Sequence, residues 1–101
     1  MDIEQAIDII YTGLVSEKSV PVRLASFRIL DFGMLDQVRE ALDFAIKYYK
    51  GKSFVPKKIA MAMVDLQGAF FFKNGFEEEM LRKLEDIGIE FQEKALKIFS
   101  E

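Results

Sequence analysis

The sequence predicts an all-α domain of about five helices: an antiparallel helix hairpin duplicated at a period of 35 residues, closed by a long C-terminal helix. Three observations predict it. Apolar residues recur every three or four positions along most of the chain, the spacing that lines one face of a helix. Val-Pro occurs twice, at 20–21 and 55–56, each time ahead of a helical pattern. Without any gap, residues 3–33 align on residues 38–68, with Ala6 on Ala41, Asp8 on Asp43, Val20 on Val55, Pro21 on Pro56, Ala25 on Ala60 and Gly33 on Gly68.

The first helix is marked by Ile3, Ala6, Ile7, Ile10 and Leu14 on one stripe. The second opens at Val20-Pro21, because a proline in the first helical turn loses no hydrogen bond, and its pattern runs on to Gly33. Leu35, Val38, Leu42, Ala45 and Tyr49 mark a third after that glycine. Val55-Pro56 opens the fourth, whose stretch 59–72 is apolar nearly all round and therefore belongs at the centre or at an interface. The fifth covers about 76–99, with Phe76, Met80, Leu84, Ile87, Phe91, Ala95 and Ile98 on one face. Glu90 to Lys94 and Glu93 to Lys97 support it as i,i+4 pairs, and Glu77, Glu78 and Glu79 suit the positive end of its dipole. No strand is expected.

The pattern divides a single domain, 1–101, into a first repeat of about 3–33, a second of about 38–68 and the closing helix. The residues VPVRLASFRIL, and their copy VPKKIAMAMV, resemble the second helix of HEAT-like repeats, in which a proline, an arginine two residues on and an alanine-containing apolar stripe recur. The resemblance implies a right-handed stack of helix pairs that offers a protein-binding surface. Lys58 stands where the first copy has Arg23. Such arrays normally need about three units, so two must be capped by the last helix or by a second subunit.

Composition narrows the chemistry. The 101 residues include no cysteine and no histidine, which removes disulfides, thiolate nucleophiles, the usual general base and the commonest metal ligand. Carboxylates, lysines and tyrosines are what remains, and an enzyme becomes the lesser expectation. The N-terminus MDIEQAIDII is acidic where a secretion signal is basic, and the most apolar run is too short and polar to span a bilayer, so a cytoplasmic protein with no membrane association is expected. Abundant Glu and Lys lean toward a thermophilic source. The net charge of −3 divides into −4 over 1–46, +5 over 47–76 and −4 over 77–101. A basic middle between acidic ends can bind an anion or pair with the protein's own acidic segments.

Four groups of residues invite a functional reading. Gly51-Lys52-Ser53 looks like the end of a phosphate-binding loop, but Ile46 stands where the first glycine must be and the stretch follows a helix, so it is read as a turn. Lys47, Lys50, Lys52, Lys57 and Lys58, interleaved with Tyr48, Tyr49 and Phe54, are the candidates for anion or nucleic-acid binding. Phe70, Phe71 and Phe72 point about 100° apart on a helix, and with Met61 and Met63 they are the candidates for an interface. Asp65 and Asp31 are read as potential buried carboxylates, a buried acid of this kind being paired with Arg28 or Arg23 as a structural ion pair, with Asp65 and Arg28 the leading candidates. No catalytic, cofactor or metal site is assigned. The expected function is a non-enzymatic helical scaffold that binds protein and self-associates as a homodimer. A nucleic-acid accessory protein using the lysines ranks behind it, as does a carboxylate enzyme or small-ligand binder built on Asp65, Asp31 and a tyrosine.

Overall fold

The computed structural model describes residues 1–64, 66–72 and 75–100. They form α1 (Ile3–Leu14), α2 (Val20–Phe27), α3 (Phe32–Tyr49), α4 (Lys57–Met63), α5 (Leu66–Ala69) and α6 (Glu78–Phe99), and no strand occurs among the described residues. The fold is all-α. The pattern expected as a fourth helix is carried by α4 and by α5, a single turn.

Helix starts follow local chemistry. Asp2 and Gln5 form a reciprocal capping box at α1, in which the Gln5 N–H donates to the Asp2 carboxylate and the Asp2 N–H donates to the Gln5 side chain. Ser19, fully buried, caps α2 by accepting from the Val22 N–H, and Pro21 sits in its first turn. The end of α2 departs from the sequence expectation. It stops at Phe27, where Arg28 turns left-handed with φ 56°, and Asp31 then caps α3 by accepting from the Met34 N–H at 3.0 Å. An aspartate gains more at an N-cap than inside a helix, so Gly33 lies in the first turn of α3 rather than at the end of the helix before it.

α1 packs on α3, α3 on α6, α5 on α6 and α4 on α1. Ile10, Val38, Leu42, Leu84, Phe91 and Phe70 lie at the centre, each completely shielded from solvent. Burying a side chain of this size stabilises the fold by roughly 1.5–3 kcal/mol relative to leaving it exposed. Two ion pairs fix the register of α3 against α6. Arg39 grips Glu90 through two parallel hydrogen bonds, Nε to Oε2 at 2.6 Å and Nη2 to Oε1 at 2.9 Å, and Lys94 donates to Asp43. Both pairs join residues 51 apart in sequence, so α3 and α6 run parallel.

Candidate functional site

The lysine-rich junction between α3 and α4 is a turn in its backbone. After Lys50 the chain reverses at Gly51, whose φ of 77° favours glycine, and the Lys52 N–H donates to the Tyr49 carbonyl at 3.0 Å. The space a Gly51 side chain would fill is open, so its glycine is required by the backbone turn and not by a close neighbour. All five lysines are exposed, but two of them face the protein itself. Lys58 pairs with Asp8 of α1 at 3.2 Å and lies 4.9 Å from the centre of the Tyr11 ring. The Lys52 ammonium sits 4.5 Å above Tyr48. Lys47, Lys50 and Lys57 form no ion pair with another described residue.

The interface candidates separate by position. Phe70 is buried against Phe91, edge to face with centroids 5.8 Å apart, and Met63 joins the same core. Phe72 is half-buried and meets Phe76 at 5.1 Å. Phe71 and Met61 remain exposed. The expectation that one helix carries the three rings is corrected: α5 ends at Ala69, and beyond it Phe70 turns into the core while Phe71 stays on the surface.

A larger apolar face lies where α4 runs beside the C-terminal half of α6. Ala60, Met63, Val64, Gln92, Leu96 and Phe99 line a groove of about 200 Å³. Phe99 also lines the adjoining groove, shared with Lys52, Phe54, Val55 and Ile98. On this face Phe54 is 88 % exposed, Val64 82 %, Leu96 62 % and Phe99 47 %, while the exposed Met61 lines neither groove. The sequence held a signal for it. Residues 85, 89, 92, 96 and 99 form a second stripe on α6, four and three apart, beside the stripe that enters the core.

The expectation of a buried ion pair at Arg28 is corrected. Arg28 is exposed, because the left-handed turn that ends α2 lifts its side chain off the core; its guanidinium lies 5.0 Å from the centre of the Phe76 ring and against Gly75. Asp65 lies outside the described residues. Arg23 pairs with Asp31 at 3.1 Å, so Asp31 is both helix cap and ion-pair partner. Among the described residues two groups are shifted from their ordinary values. The paired hydrogen bonds that Arg39 donates to Glu90 raise its guanidinium, and burial raises the Tyr49 phenol. Among the described residues no three acidic side chains converge to hold a metal ion, and no helix is long and apolar enough to cross a membrane.

Comparison with models of protein families, with curated proteins and with solved structures finds no match to this chain.

Proposed function

We propose that this chain is a small helical interaction domain that joins a second copy of itself through the α4–α6 face. One observation carries the proposal: Phe54, Val64, Leu96 and Phe99 are all exposed along two grooves that share Phe99. Side chains of this size, about half exposed or more, present on the order of 400–500 Å² of apolar surface, at the upper end of what a monomer ordinarily leaves in water. A specific interface buries roughly 800 Å² per partner, so this face and a polar rim suffice for one. Nucleic-acid binding ranks lower because Asp8 holds Lys58, leaving one free cation fewer, and the Lys52 ammonium covers the Tyr48 ring, leaving one stacking face fewer.

Sedimentation equilibrium tests the proposal. The wild-type chain is expected at twice its monomer mass in the micromolar range, and Leu96→Glu, on an exposed position that leaves the core intact, is expected at monomer mass with an unchanged helical spectrum. A monomeric wild type at about 100 µM, a free energy of only about −5.5 kcal/mol by the affinity relation, sinks it.

A further inference from the structure

Resting on the self-association just described, we propose that two copies pair with their α6 helices antiparallel about a twofold axis at Gln92, so that Lys52 and Lys57 of each copy face Glu85 of the other.

The face is polar at its two ends and apolar between them. At the C-terminal end of α6, Lys52 lines the groove with Phe54 and Phe99, and Lys57 falls on the same side of α4 as Ala60, Met61 and Val64, at spacings of three, four and seven. At the other end the stripe reaches Glu85, which is exposed and pairs with no described residue, while the nearby Arg82 is bound to Glu78. Gln92 is half-buried and lies seven residues from both Glu85 and Phe99. A twofold axis there brings Glu85 of one copy beside Phe99 and Lys52 of the other, about 10 Å from the axis at 1.5 Å rise per residue. Ile89 then meets Leu96, and Gln92 meets its own copy.

Each of these meetings is chemically matched. Ile89 against Leu96 joins two exposed apolar side chains. A side-chain amide both donates and accepts, so two Gln92 side chains satisfy each other, and a lone polar pair in an apolar seam penalises every shifted register. The lysines and Glu85 attract across the interface twice, once on each side of the axis. A parallel pairing instead sets Glu85 against Glu85 and the lysines against lysines, an arrangement that like charges disfavour.

Charge reversal separates this register from self-association as such. Lys52→Glu with Lys57→Glu in one chain, and Glu85→Lys in another, should each raise the dimer Kd about 10-fold or more, since two attractive contacts become repulsive. An equimolar mixture should form heterodimers within about threefold of the wild-type Kd, because both contacts are again Glu–Lys pairs. The sign is diagnostic, as Glu85→Lys moves the net charge from −3 to −1 and should by general repulsion alone tighten the dimer. Sedimentation velocity over a dilution series reads all three samples. A dimer that Leu96→Glu breaks but the reversals leave within twofold of the wild-type Kd, or a mixture no tighter than its components, overturns the antiparallel register while self-association stands. A monomeric wild type overturns both.

Discussion

Replacing Gly13 by alanine places a methyl group 2.3 Å from Val38 Cγ2, far inside van der Waals contact. Gly13 is buried on α1 where that helix crosses α3, and Val38 is completely buried, so neither side can swing into solvent. The absent side chain sets the distance between the two helices. Overpacking of this kind costs about 1–3 kcal/mol, against a gain in helix propensity of at most about 1 kcal/mol in the last turn of α1. A net loss of about 1–2 kcal/mol is therefore expected for Gly13→Ala, read as a lower urea midpoint at unchanged slope. Val38→Ala supplies the control. It removes the atom that clashes and leaves a cavity at a cost of about 1.5–2.5 kcal/mol, and the double variant should recover about 1 kcal/mol or more relative to the sum of the two. A Gly13→Ala chain more stable than wild type, or strict additivity in the double variant, would refute the close approach of α1 to α3.

Two further predictions concern ionised groups. The Arg39–Glu90 pair is 35 % exposed on both side chains, so a double-mutant cycle with alanine should give a coupling of about 0.5–1 kcal/mol, and a coupling near zero would mean the pair does not hold α3 to α6. Burial raises the Tyr49 phenol above its usual 10.0, so the unfolded chain releases this proton first. The stability it contributes is complete below pH 10 and is lost as pH rises from there through the folded value, and Tyr49→Phe should flatten that decline; an equally steep decline in the variant would count against the burial of the hydroxyl.

Periodicity made the long helices legible. The stripes on α1, α3 and α6 read from the sequence are the faces now buried, because each of these helices is long enough to repeat its pattern several times. Shorter elements were harder, since α2 and α5 offer one or two turns and their ends depend on single residues. Arg28 could not be foreseen as left-handed, and Asp31 resembles a buried acid until Met34 is seen to donate to it. Gly13 was silent for a different reason. A glycine needed for close approach has no local signal, only a partner 25 positions away in Val38. The apolar face was less legible: of its lining Met63 was singled out in the sequence, whereas Leu96 and Phe99 were overshadowed by the stronger stripe beside them on α6.

The charge partition of the sequence acquires a physical meaning from these contacts. Arg39–Glu90 and Lys94–Asp43 exchange one base and one acid each way between the two acidic segments, which ties them together without changing the surplus of either. Among the described residues the basic segment sends one ion pair to them, Lys58 to Asp8. Lys47, Lys50, Lys52 and Lys57 therefore stay on the surface around the α3–α4 junction, while acids accumulate at the start and along the N-terminal half of α6 at Glu77, Glu78, Glu79, Glu85 and Asp86. A molecule charged oppositely at the two ends of an apolar strip lowers its electrostatic energy by meeting its copy end to end reversed. In the proposed dimer Lys52 and Lys57 take Glu85 of the other copy as their counter-charge, as Lys58 takes Asp8 within its own chain.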